Sequence, residues 1–171
     1  MNRDQAFEEL KLRVFDKEII FRSLVVEAVM KDLAKHFNAD ENLWGLAGLL
    51  HDIDYEKTLN RPEQHGIVGA EILDNLNFDE AIIYSVRAHN DINGIQRKRK
   101  MDKGLYLADY VVQLIMKLKA QNITSDEVLL LEVLKAIEQE PSQLDKFDEL
   151  GLEKSEFIEL ILGTMGRIIK E

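Results

Sequence analysis

Cysteine is absent from the 171-residue chain, so neither a disulfide framework nor thiolate chemistry enters its account. Proline is limited to Pro62 and Pro141, and glycine to nine residues. With 46% hydrophobic residues, that scarcity of turn formers excludes a loop-rich all-β fold and a disordered chain. No apolar run approaches the length of a membrane span. The start, MNRDQAFEELK, has no apolar secretory segment. The chain is therefore expected to be cytoplasmic, with no membrane partner. Positive charge is scarce as well: 22 basic residues face 32 acidic ones, for a net charge of −10. Phosphate backbones are gripped by basic surface, so general nucleic-acid binding is not expected. The exception is Arg97-Lys-Arg-Lys100, which reads either as a solvated loop or as a local phosphate-attracting patch.

What is present is helical periodicity almost throughout. Residues about 4–15 carry Phe7, Leu10, Val14 and Phe15 on one stripe, and about 18–37 make a longer helix. Asn38-Ala-Asp40 breaks the pattern, and Asp40 can cap a third helix at about 41–52. That helix is apolar nearly all round, as a buried central helix is. An irregular connection with Pro62 leads to helices at about 65–76 and 79–89, the second capped by Asp79. After the turn-rich His89–Gly94 come helices at about 102–120, after Thr124-Ser-Asp-Glu127 with its capping-box spacing, and at about 154–169 after Gly151. No strand alternation, repeat or linker is visible. The expectation is an all-α, compact, single-domain bundle spanning 1–171.

Three of the four histidines and two aspartates stand out against this frame. The stretch LAGLLHDID ends its most apolar helix in His51 and Asp52. His65 opens the next helix, and His89 closes another. Asp109 lies between apolar residues in Leu107-Ala-Asp109. A carboxylate beside a buried stripe is costly unless paired or bound to a metal. A divalent cation would satisfy these groups together, and His51 and His89 lie at helix C-termini, which favour a nearby cation. Imidazoles and carboxylates suit manganese, iron, cobalt, nickel or zinc, and a carboxylate-dominated site takes magnesium. Each residue alone also has a plainer role. A lone histidine at a helix end is often a hydrogen-bonding cap, which is the role read for His36, and Asp54 reads as a turn residue or a cap.

The stretches LWGLAGLLHDIDYE, HGIVGAEIL, VRAHN and LYLADYV together resemble the HD superfamily of metal-dependent phosphohydrolases. The resemblance is most specific from about Phe21 to Val112, and the ending LGLEKSEFIELILGTM is similar to the tail of small stand-alone members, with C-terminal helices at about 124–170. It implies an all-α fold and one or two divalent metals. His51, Asp52 and Asp109 would hold the first, and His65 and His89 the second, with Asp52 as a bridge. It also implies a water activated against a phosphate ester, such as a nucleotide. Asp52 and Lys103 are the residues expected to act in catalysis. Arg22 and Lys103 are those expected to meet the small phosphorylated substrate, and Tyr55 and Glu56 to line the pocket mouth. A homodimer is compatible with the long apolar faces.

One position departs from the family pattern. Arg22 opens RSLVVEAVM where the family's first histidine is expected, and arginine has no lone pair for a metal. Three arrangements are open to it. It swings aside from a remaining metal, it replaces the metal's charge by pairing with Asp52 or Asp109, or it binds substrate phosphate. The second would leave a degenerate domain that binds a nucleotide or protein partner without hydrolysis.

Overall fold

A computed structural model describes residues 1–168 of the chain. Among the described residues there are ten α-helices, two single 3₁₀ turns and no strand, as the periodicity requires. The helices are α1 (Arg3–Lys11), α2 (Lys17–His36), α3 (Glu41–Leu50), α4 (Tyr55–Thr58), α5 (Ile67–Asn75), α6 (Glu80–Ala88), α7 (Lys100–Ala120), α8 (Asp126–Glu138), α9 (Pro141–Leu150) and α10 (Lys154–Ile168). The 3₁₀ turns are Pro62–Gln64 and Asp91–Asn93. No described helix is long and apolar enough to cross a membrane.

Aspartates start the helices that matter to the site. Asp16, Asp40 and Asp79 accept hydrogen bonds from the first free backbone N–H groups of α2, α3 and α6. Asparagines end three helices. Asn38, Asn77 and Asn122 adopt positive φ just past α2, α5 and α7, and the next residue's N–H turns back to the helix, as from Ala39 to Ala34 O at 2.8 Å.

Helix α2 lies along α3 and packs also on α7 and α10. Helix α6 closes on α3 and α7, α5 pairs with α6, and α1 covers α3. One continuous hydrophobic core runs from Ala6 to Met165. The α2–α3 approach depends on Gly48. A Cβ there would stand 2.7 Å from the Val26 carbonyl oxygen and 2.9 Å from Glu27 Cα. Arg22 lies one turn before Val26 on the same face of α2, so this approach brings it against the end of α3.

Several boundaries differ from the sequence expectation. Helix α1 stops at Lys11, because Asp16 starts α2 and only Val14 of the linking residues is buried. Phe15 is 74% exposed rather than on a packed stripe. Helix α8 begins after Ser125 without a side-chain cap, so the capping box expected at Thr124–Glu127 does not form. Helix α9 is an addition: it opens on Pro141, ends at Gly151 and buries Gln143, Phe147 and Leu150. The expected extension of the last helix to 169, and of the C-terminal helices to 170, reaches positions outside the described residues.

Candidate metal centre

The turn after α3 buries His51, Asp52, Ile53 and Asp54 completely. Asp109 comes from the middle of α7, His65 from the residue before the α5 N-terminus, and His89 from the end of α6. Gly66 permits the entry to α5. Its φ is +85°, and a Cβ there would stand 2.8 Å from the Val86 carbonyl and 3.3 Å from the His89 ring.

Each of the three site histidines has its Nδ1 occupied. His51 Nδ1 donates to the Gly48 carbonyl at 2.7 Å, and His89 Nδ1 to the Val86 carbonyl at 2.6 Å. His65 Nδ1 faces Asp54 Oδ1 at 2.9 Å. With the Nδ1 proton held, each Nε2 turns inward. His51 Nε2 lies 3.1 Å from Asp52 Oδ2 and 3.3 Å from Asp109 Oδ1. His65 Nε2 lies 3.2 Å from Asp52 Oδ1 and 3.1 Å from His89 Nε2.

Two donor groups result, Asp52–His65–His89 and His51–Asp52–Asp109. Within each, the available ligand atoms lie within 4.8 Å of one another. They differ in one respect. Asp52 Oδ2 accepts hydrogen bonds from Arg22, from Nε at 3.1 Å and from Nη2, and Arg22 Nε stands 3.6 Å from Asp109 Oδ1. Asp52 Oδ1 is fully buried and accepts no hydrogen bond. Such an oxygen is costly in a protein interior without a cation or donor, and here it faces His65 Nε2 at 3.2 Å, which in turn lies 3.1 Å from His89 Nε2.

The electrostatics divide the same way. Burial opposes charge on His51, but Asp52 and Asp109 outweigh it and push the imidazole up to about 10. Burial likewise opposes charge on His65, and Asp52 and Asp54 raise it to about 9. Burial, then the positive charge of His65 and His51, pushes His89 down to about 4. Burial alone would raise Asp52, yet His51, His65 and Arg22 hold it well below the usual carboxylate range. The same balance of burial against His51 and Arg22 lowers Asp109.

This arrangement of a His-Asp doublet, a distant aspartate and two further histidines coincides with a family match: residues 20–145 fit the family model of the HD domain. The chain belongs to the HD domain family. Its similar proteins include an uncharacterised protein of Methanocaldococcus jannaschii, 33% identical over 116 residues, with 65% of this chain and 66% of that protein covered. Another is the tRNA (cytidine(56)-2'-O)-methyltransferase of Picrophilus torridus, 34% identical over 155 residues, covering 88% of this chain and 42% of that protein. The HD chain thus spans less than two thirds of either relative's length.

Five residues singled out in the HD sequence, His51, Asp52, His65, His89 and Asp109, come together here, and both donor groups suit a divalent cation. Arg22 also reaches the centre, and of its three arrangements the pairing with Asp52 and Asp109 is the one observed. Tyr55 lines the adjoining cleft of about 430 Å3 with Arg22, His65, His89 and Asp109. Lys103 does not: it pairs with Glu149 at 3.3 Å and lines a neighbouring cleft. Glu56 turns away from the cleft and accepts from the backbone N–H groups of Phe15 and Asp16, at 3.0 and 3.1 Å.

Asp54 exceeds the turn or cap role read from sequence. Its Oδ2 accepts from Gly66 N at 2.8 Å and Gly69 N at 2.7 Å, capping α5 from a distance, while Oδ1 faces His65. It therefore fixes both the entry of α5 and the orientation of a donor histidine. The spacing HDID, a carboxylate two residues past the doublet, is the only local signal for it.

Proposed function

We propose that this HD domain is a metal-dependent phosphohydrolase that holds one divalent cation on Asp52, His65 and His89, with the Arg22 guanidinium serving the other half of Asp52. The observation that carries this reading is the buried Asp52 Oδ1, which accepts no hydrogen bond and faces His65 Nε2, with His89 Nε2 next to that atom, beside a cleft. Two imidazoles and one carboxylate favour manganese, iron, cobalt, nickel or zinc over magnesium. When bound, such an ion lowers the pKa of a water and polarises a phosphoryl oxygen.

The residues of the chain supply the rest. Asp52 Oδ2 is held by Arg22 and faces His51, which leaves Oδ1 for the cation. Asp54 holds the His65 ring so that Nε2 points inward. Asp109 lines the cleft, fixed by Gln113 at 2.8 Å and by His51, and accepts a hydrogen bond from the attacking water. Arg22 lines the cleft too, and its remaining N–H groups meet phosphoryl oxygens as negative charge develops there. The substrate class is a nucleotide or another small phosphate ester. RNA methylation is stated of the Picrophilus relative alone, and a net charge of −10 gives poor grip on RNA.

One observation favours a second reading. Arg22 already neutralises charge at Asp52 and Asp109, as a ligand-binding domain without hydrolysis would require. Elemental analysis of protein purified without chelator or affinity metal separates the two, alongside His65→Ala and His51→Ala. The hydrolase reading expects about one ion per chain, lost in His65→Ala, and turnover in a phosphoester panel with that ion. No ion retained after adding each metal in turn, or an ion without turnover, favours the second reading.

A further inference from the structure

A second cleft, of about 610 Å3, opens between the loop that follows Asp91, helix α7 and helix α9. Four cationic side chains line it, Arg97, Lys98, Lys103 and Lys146, against two carboxylates, Asp91 and Glu149. In a protein of net charge −10, this is a local excess of positive charge within a concavity.

These cations are only in part committed. Asp91 takes two of them: Arg97 pairs with its Oδ1, and Lys146 Nζ sits 2.6 Å from its Oδ2. Tyr106 braces both. The Arg97 guanidinium lies 3.7 Å over its ring, and Lys146 Nζ lies 3.0 Å from its hydroxyl. Lys103 has only Glu149, whose side chain is 57% exposed, and so solvated a pair yields readily to another anion. Among the described residues Lys98 has no carboxylate within ion-pair distance. The rest of the basic run is used elsewhere: Arg99 binds Asp102, and Lys100 lies over the Phe37 ring.

The cleft is not isolated. Asp91 and Tyr106 line both it and the cleft of the metal centre, so the two concavities meet at that pair. We propose that the α7–α9 cleft is an anion subsite that holds a second phosphoryl group of the substrate, with Lys98 and Lys103 as its exchangeable contacts. This rests on the phosphohydrolase reading for the identity of the substrate, and it narrows that substrate to a phosphate ester with two phosphoryl groups. The anion-binding property stands on the cleft alone.

The experiment is calorimetric titration of inorganic pyrophosphate into the full chain stripped of metal, at low ionic strength. The variants are Lys98→Gln/Lys103→Gln and, for the other cleft, Arg22→Gln, each checked by thermal melting. Binding that weakens about tenfold in the lysine variant and persists in Arg22→Gln is the expected result. It holds whether or not any ester is turned over, so failure of the hydrolase reading is seen separately in the metal and turnover assays. Absent binding, binding indifferent to the lysines, or binding lost with Arg22 overturns the subsite.

Discussion

Removing the Arg22 guanidinium tests the division of the centre directly. In Arg22→Gln the buried Asp52 carboxylate and its neighbour Asp109 lose their guanidinium partner. Breaking a buried ion pair by deleting one member costs about 3–5 kcal/mol when the other is left alone. Asp52 is not left alone, because His51 and His65, both raised well above neutral, remain within 3.1 and 3.2 Å. The Arg22 side chain is also 14% exposed. Both facts reduce the cost to about 2 kcal/mol. For a chain of this size that lowers the melting midpoint by about 4–8 °C, read by circular dichroism in the presence of chelator. An added divalent cation should recover part of the loss, since it restores positive charge beside Asp109 and Asp52. The companion Arg22→His supplies an imidazole lone pair at the same place, and elemental analysis should then show an additional ion per chain. A midpoint for Arg22→Gln within about 1 °C of wild type, with stoichiometry unchanged in Arg22→His, would refute the argument that the guanidinium stands in for a cation.

Four further outcomes follow from the same geometry. Asp54→Asn should weaken metal affinity by about 10- to 100-fold, measured by competition with a chromogenic chelator; unaltered affinity would mean that His65 is oriented by other contacts. Gly48→Ala should lower stability by about 2–3 kcal/mol in denaturant titration, because its Cβ meets the α2 backbone at 2.7 Å; a neutral effect would show that the α2–α3 approach is adjustable. The chelated protein should be most stable near pH 6.5. His51 and His65, raised from 6.5 to about 10 and about 9, contribute stability that is full below pH 6.5 and lost as pH rises through those values, while His89, lowered to about 4, contributes stability that is lost as pH falls towards it. Melting midpoints that climb steadily from pH 6.5 to 10 would contradict these assignments. Because the proposed cation displaces a proton from His65 and none from His89, loading at neutral pH should release about one proton, seen by calorimetry in buffers of different ionisation enthalpy.

Much of the centre was readable in one dimension because burial and polarity conflict there. His51 and Asp52 end a helix that is apolar all round, and Asp109 interrupts an apolar stripe, so each signals a compensating partner. His65 and His89 were weaker signals one by one, since a histidine at a helix end is often a cap, and only as a group, and then through the resemblance, did they point to a metal. Asp54 was misread as local because its partners, the N–H groups of Gly66 and Gly69, lie 12 and 15 residues away, and only the positive φ of Gly66 aims them. Lys103 was expected at the substrate from its place just before Asp109, but helical rotation carries it to the neighbouring cleft. Three residues fall about 60° short of a full turn, so Lys103 stands about 120° around the helix from Asp109. Tyr106 lies halfway between them. That rotation is also why Tyr106 lines both clefts while Lys103 reaches only one.

The consequence of the arginine therefore falls on one half of Asp52 and on Asp109. The Asp52 Oδ2 faces Arg22 and His51, and its Oδ1 faces His65. A histidine at position 22 would offer a lone pair to a cation, whereas arginine brings a cation of its own. The exchange leaves the Oδ1 side untouched and conserves the sign of charge on the Oδ2 side. It does not conserve the amount, because a guanidinium and one dication together carry one positive charge fewer than two dications. A centre weakened in this way grips an anionic substrate less firmly through the scissile phosphoryl group alone. A neighbouring cleft with an excess of cations, joined to the centre at Asp91 and Tyr106, supplies that attraction through a different part of the same molecule. On this argument, Arg22→His should reduce the dependence of substrate binding on Lys98 and Lys103, and an undiminished dependence would separate the two features.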